Sequence, residues 1–296
     1  LELYKEQNII PPCNDVKTMK KMLTANPEAK DLAEVLQVFN IPLKVLQKKS
    51  ALERAARELV EDLRKQGNSY AEIRFAPQLS TKDGLSQKEV LDAVIQGIQE
   101  GMKANPGIDA RLLLCLMRGG TKEENIETVE LGHQYLGHFV VGLDLAGDEN
   151  HYPCSLYEEE FKMASSYGIP FTIHAGESKS LDNVRDAIRF GARRLGHGVS
   201  LENSPELMEY VRDHKILIEC CLTSNLQTKE VLDIRNHPIR KYFDFGIPVC
   251  LNSDNLTVSD TDIRKEEELA RRYLGFTDSE LKKMAEYAKN ASFKDC

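Results

Sequence analysis

No apolar stretch in this chain of 296 residues approaches the roughly 20 residues that a bilayer span requires. The opening Leu1-Glu2-Leu3-Tyr4-Lys5-Glu6 also lacks the pattern of a secretion signal. A basic excess is missing too: 39 Lys and Arg stand against 47 Asp and Glu, a formal net charge of −8. Nucleic-acid polymers and anionic membranes both select cationic surfaces, so neither is expected as a partner, while small molecules are. The seven cysteines (13, 115, 154, 220, 221, 250 and 296) are odd in number, mostly lie in apolar runs and include no C-x-x-C pair. That usage suits a reducing cytoplasm and no disulfide framework. No Pro/Ser-rich linker, low-complexity tract or internal repeat divides the sequence, so a single domain over residues 1–296 is expected.

What the chain has instead is one repeating rhythm. Apolar, β-branched runs occur at 70–79, 110–117, 139–146, 170–174, 194–199, 216–221 and 247–251, with helix-period segments between them. Seven strands, each divided from the next by a helix, predict a parallel sheet. The runs are nearly continuous in hydrophobicity, so both faces should be covered, as in a closed (β/α)8-type TIM barrel. Such a barrel needs eight strands. Residues 1–9 read as the helical end of a unit whose strand would precede Leu1, so seven of eight strands are expected here, the first being missing. The charge run Arg264-Lys265-Glu266-Glu267-Glu268 reads as a solvated helix face.

Polar residues gather where the apolar runs end. His174-Ala175-Gly176-Glu177 closes one run. A histidine there can hold a metal, and a glutamate three residues on, past a glycine that lets the backbone approach a ligand, can move a proton. Gly147-Asp148-Glu149, Gly196-His197-Gly198, Thr223-Ser224-Asn225 and Asn252-Ser253-Asp254-Asn255 follow other runs. Barrel active sites lie at the C-terminal strand ends, so five successive strands would converge on one rim. A single strand-end histidine also serves as a hydrogen-bonded structural residue, and Asp254-Asn255 alone would mark a turn. Their convergence favours metal or acid/base chemistry. Leu32, Val35, Leu36 and Phe39 fall at i, i+3, i+4 and i+7, an apolar stripe that spacing alone reads as core packing.

His174-Ala175-Gly176-Glu177, Leu195-Gly196-His197-Gly198, Asp144-Leu145-Ala146-Gly147-Asp148-Glu149 and Asn252-Ser253-Asp254-Asn255, in this order and spacing, resemble the adenosine deaminase family of metal-dependent barrel hydrolases, over residues 1–293. The resemblance implies one Zn²⁺ per complete chain, with His174 and Asp254 among its ligands. It makes Glu177 the proton donor to the purine ring, assigns His197 and Asp254 to orient and deprotonate the attacking water, and sets the Gly147 N–H against the purine. Asn255 stands where many members carry a second aspartate facing purine N7, and its NH₂ can still donate to that acceptor. A helical segment at about residues 15–50 would lid the pocket, which makes Leu32, Val35, Leu36 and Phe39 substrate contacts as well as packing residues.

The implied reaction is hydrolytic deamination of adenosine or deoxyadenosine to inosine or deoxyinosine plus ammonia, in purine salvage. Free adenine or a modified nucleoside is the alternative substrate, and a non-catalytic purine-nucleoside-binding protein the rival of another class. A mere binder needs neither the acid Glu177 nor the base His197. Attack at C6 of the purine drives negative charge onto N1 unless a proton arrives, so Glu177 has to be protonated, and a dry pocket would raise its pKa. The family's first strand carries a His-x-His pair that supplies two further groups on zinc. None of the other five histidines (133, 138, 151, 214 and 237) lies at an equivalent strand end, so the metal site is expected to be incomplete and the chain a fragment of a longer product. Cys220-Cys221 is expected to be strand core, not the His/Cys/Cys zinc site of other base deaminases.

Overall fold

In the computed structural model, which describes residues 1–294, the apolar runs form seven strands. They are β1 (Tyr70–Phe75), β2 (Asp109–Met117), β3 (Val140–Ala146), β4 (Thr172–Ala175), β5 (Arg194–His197), β6 (Leu217–Cys220) and β7 (Val249–Leu251). They pair in sequence order as two parallel sheets, β1-β2-β3 and β4-β5-β6-β7. A single bridge between Leu143 and Phe171 joins the sheets. Helices separate the strands in sequence, several opened by capping boxes such as Ser86 with Glu89 and Thr121 with Glu124. Leu112, Leu113, Leu114, Leu116, Leu143, Leu145, Ile173 and Leu195 are fully buried, as expected of strands covered on both faces.

Charged side chains show how the sheet is bent. In strand order β1 and β6 are five steps apart, which in a flat sheet is about 24 Å. Arg74 on β1 nevertheless meets Glu219 on β6 at 2.9 Å and Asp144 on β3 at 2.7 Å. Arg194 on β5 reaches Glu72 on β1 at 2.6 Å and Glu219 at 2.8 Å. Contacts of this kind require the strands to curl around a shared axis with these groups inside. The fold is the α/β, TIM-barrel type, although among the described residues no ladder hydrogen bonds join β1 to β7.

The N-terminal ends of the strands are sealed from below. Phe293 packs on Leu113 and Val141, its N–H donates to Glu72 at 2.7 Å, and the Arg194 guanidinium lies 3.7 Å from its ring centre. The opposite, C-terminal ends are therefore where a pocket can open. No helix among the described residues is long and apolar enough to cross a membrane. The six described cysteines are free thiols, and Cys296 lies outside the described residues.

Two expectations need correction. The first apolar run yields a strand only to Phe75; Pro77–Ser80 is a 3₁₀ turn, because proline fixes φ and removes a ladder donor. The charge run is not simply a solvated face. Within the helix Ile263–Leu274, Glu266 is fully buried and accepts hydrogen bonds from the Thr223 N–H and the Thr261 hydroxyl at 3.2 and 2.8 Å, and from the Thr223 hydroxyl. Lys265 and Glu268 remain exposed, so the run is divided between water and the polar groups of Thr223 and Thr261.

Candidate active site

His174, the third residue of β4, is oriented from behind. Its Nδ1 lies 3.0 Å from the nearer oxygen of Asp144, a fully buried carboxylate that also holds Arg74. Asp144 therefore takes the Nδ1–H and leaves Nε2 as the nitrogen open to a metal once its proton is displaced, the orientation a metal-binding histidine needs. Burial disfavours the charged ring, but Asp144 outweighs it and moves the His174 pKa up to about 8. Arg118 braces the same residue from the backbone side, donating to the His174 carbonyl at 2.7 Å.

Glu177 follows on a short turn. The buried Glu149 carboxylate accepts the N–H of Gly176 at 2.7 Å and of Glu177 at 3.0 Å, which fixes that turn. Gly176 has φ of 82°, and a Cβ there would sit 2.7 Å from Ser200 Oγ and 2.8 Å from Val184. Its glycine is thus required by backbone conformation and close packing. Glu177 is buried, and loss of hydration, reinforced by the Asp254 and Glu149 charges and opposed by His174, pushes its pKa up to about 8. At neutral pH it is a carboxylic acid.

His197 ends β5 in the left-handed region, with φ of 64°, an unusual conformation for a side chain other than glycine and one that re-aims the ring. Its Nε2 lies 3.6 Å from Glu177, and its ring centre 5.0 Å from that of His174. Burial and the neighbouring His174 push its pKa down to about 4. Asp254, beyond β7, has φ of 52°; its carboxylate, a ring nitrogen of His197 and the Cys221 thiol lie within 4.8 Å of one another. Behind His197, Nδ1 is 3.0 Å from Asn225 Nδ2, Asn225 Oδ1 is 3.1 Å from His237 Nε2, and the Ile239 N–H donates to His237 Nδ1 at 3.2 Å.

The structure thus brings His174, Glu177, His197 and Asp254 together at the C-terminal strand ends. Gly147 sits at the end of β3 with φ of 110°. Asn255 is exposed and donates to Asp254 Oδ1 at 2.7 Å. The residues of the apolar stripe lie beside this rim: Leu32 and Val35 are buried, Leu36 and Phe39 half-buried, and Val35 clusters with Val258, four residues past Asp254. Sequence reasoning gave no role to Asp144, Glu149, Asn225 or His237. Glu149 and Asn225 stand in strand-end clusters that drew notice, whereas Asp144 lies inside an apolar strand and His237 in a connecting loop. Cys220 is strand core as expected, but Cys221 reaches the polar cluster, where burial pushes its thiol well up.

The donor set suits a divalent metal. His174 has a carboxylate behind Nδ1 and can offer Nε2 once its proton is displaced, and Asp254 supplies an oxygen on the same rim, beside His197 and Cys221, a nitrogen and oxygen combination that suits a divalent metal.

Comparison with known proteins agrees with this geometry. The sequence model of the adenosine deaminase family matches residues 1–296. The adenosine deaminase of Haemophilus ducreyi is 37% identical over 288 residues, which is 96% of this chain and 84% of that protein. Among solved structures, the N6-methyl-AMP deaminase of Arabidopsis thaliana superposes with a TM-score of 0.84 at 28% identity, covering 99% of this chain and 85% of that one. An amidohydrolase of Burkholderia ambifaria with bound Zn gives a TM-score of 0.89 at 21% identity, over 99% of this chain and 81% of that one, a likeness of fold. From the family match, the relative's identity and the arrangement of the rim together, the chain belongs to the adenosine deaminase family of hydrolytic deaminases.

Proposed function

We propose that this chain deaminates adenosine or deoxyadenosine at C6 of the purine, releasing ammonia and leaving inosine or deoxyinosine, a step of purine salvage. The observation that carries the reading is Glu177: a buried carboxylic acid, protonated at neutral pH, 3.6 Å from His197 and on the same rim as His174 and Asp254. Zn²⁺ would be held through His174 and Asp254, and when bound it supplies water that ionises near neutral pH.

The remaining chemistry falls to the chain's own groups. Glu177 gives its proton to N1 as C6 is attacked, so that negative charge does not accumulate on the ring. His197 and Asp254 orient the attacking water, and the pair receives its proton. The Gly147 N–H meets the purine edge. Asn255 uses one amide hydrogen on Asp254 and keeps a second for N7. The segment at 15–50, anchored by the Ala25 N–H on the Val258 carbonyl at 2.8 Å, covers the nucleoside with Leu32, Val35, Leu36 and Phe39.

The test is direct. The chain, supplied with Zn²⁺ and joined upstream to a strand bearing His-x-His, is mixed with adenosine, deoxyadenosine or adenine while the adenosine absorbance band and ammonia are followed. Conversion of the nucleosides supports the reading; binding without conversion of any of the three would replace it with a binding-only function.

A further inference from the structure

Three hydrogen bonds behind His197 determine which of its nitrogens carries the proton. The Ile239 backbone N–H can only donate, so His237 Nδ1, 3.2 Å away, has to be the bare nitrogen. Neutral His237 then carries its proton on Nε2, which faces Asn225 at 3.1 Å. The group receiving it has to be the Asn225 carbonyl oxygen; the opposite amide orientation would set N–H against N–H. That leaves the Asn225 NH₂ facing His197 Nδ1 at 3.0 Å, so Nδ1 accepts and the proton of neutral His197 sits on Nε2. Asn225 is fully buried and His197 and His237 almost so, which shields these hydrogen bonds from solvent.

We infer that Asn225 and His237 are positioning residues that fix His197 as the Nε2–H tautomer, making it a hydrogen-bond donor into the site rather than a proton acceptor or a metal ligand. Although one of its ring nitrogens lies within 4.8 Å of Asp254 and Cys221 ligand atoms, ligation through Nε2 would need a lone pair that the relay keeps occupied. Resting on the deaminase reading, a division of labour for the proposed reaction follows. His197 donates to the oxygen of the attacking water, and as that O–H bond breaks the proton passes to the acceptor-only carboxylate of Asp254. The Glu177 proton goes separately to N1.

The tautomer can be read without any activity. In the ¹⁵N-labelled full chain, long-range correlations between ring nitrogens and ring carbon-bound protons distinguish protonated from bare nitrogen, and the His197 signals are those lost in His197→Gln. The expected pattern is protonated Nε2 and bare Nδ1. A wild-type pattern with protonated Nδ1 overturns the inference without need of any variant. His237→Leu frees the Asn225 amide to turn over and should shift His197 toward a mixture. His237→Gln, whose NH₂ can still donate to Asn225 Oδ1, should restore the wild-type pattern, and an unchanged pattern in His237→Leu would overturn the relay. In the zinc-supplied, extended chain, kcat is expected to fall on the order of tenfold in His237→Leu with little change in KM, and to recover in His237→Gln. If no nucleoside is converted while the nitrogen signals follow the expected series, the deaminase reading fails and the relay stands.

Discussion

Glu149 accepts the backbone N–H of Glu177 at 3.0 Å, and with its other oxygen the N–H of Gly176 at 2.7 Å. Two buried carboxyl groups thus divide their work on one turn: Glu149 holds the backbone, and Glu177 keeps a proton. The turn is set by a side chain 28 positions earlier in the chain, which leaves β3 as the reference against which β4 aims its acid.

Replacing Glu149 by Gln tests that dependence. The amide offers one acceptor where two are needed, and its NH₂ faces a backbone N–H. Leaving one buried donor unsatisfied costs about 1–3 kcal/mol, so thermal unfolding should shift downward. Turnover should fall while metal content is unchanged; a wild-type rate would show that Glu149 does not position Glu177.

For Glu177→Gln, the neutral side chain keeps hydrogen bonding but loses the proton that N1 requires. In the zinc-supplied, extended chain, kcat should drop by orders of magnitude while nucleoside affinity changes little. Stability gives a second readout in chelator. The Glu177 pKa rises from 4.5 to about 8 on folding, so the stabilising contribution of its proton is complete below pH 4.5 and is lost as pH rises toward 8. Across that window the wild type should lose up to about 1.4 kcal/mol per pH unit that the Gln variant keeps. Parallel pH–stability curves for the two proteins would remove the acid from its assigned role.

The barrel was legible because its strands are continuous apolar runs, and the rim because His174, Glu177, His197 and Asp254 interrupt those runs at their ends. The supporting groups were harder to read for a physical reason. Asp144 and Glu219 sit within apolar strands, where charge looks like a break in the pattern until Arg74 is found across the barrel to neutralise it. His237 lies 40 residues from its functional neighbour and contacts it only through Asn225. Contacts that close through a third residue leave no periodicity. Glu266 escapes a sequence reading because a five-residue charged run resembles a solvated face whichever residue turns inward.

Glu266→Ala should be among the more destabilising single changes in the helix Ile263–Leu274. It strips the acceptor from the Thr223 N–H and from the hydroxyls of Thr223 and Thr261 in a buried site. A loss on the order of 2–4 kcal/mol is expected in denaturant unfolding, against a few tenths for Glu268→Ala on the exposed side. Similar values for both would restore the solvated reading of the whole run.

Metal binding should report on His174 and its support. With two protein ligands, His174 and Asp254, where zinc sites use three or four, the chain by itself is expected to lose zinc on dialysis, and the chain joined to a His-x-His strand to keep one ion. In that extended chain, Asp144→Asn retains the shape of the side chain but weakens the hold on His174 Nδ1–H and leaves Arg74 one charge short. Zinc affinity is expected to fall by about 10- to 100-fold, measured by competition with a chromophoric chelator. His174→Ala should abolish retention, whereas Cys221→Ser should leave it intact, because burial holds that thiol protonated. Stoichiometric zinc retained by the unextended chain, or lost on replacing Cys221, would place the metal on the His197, Cys221 and Asp254 cluster and reverse the ligand assignment.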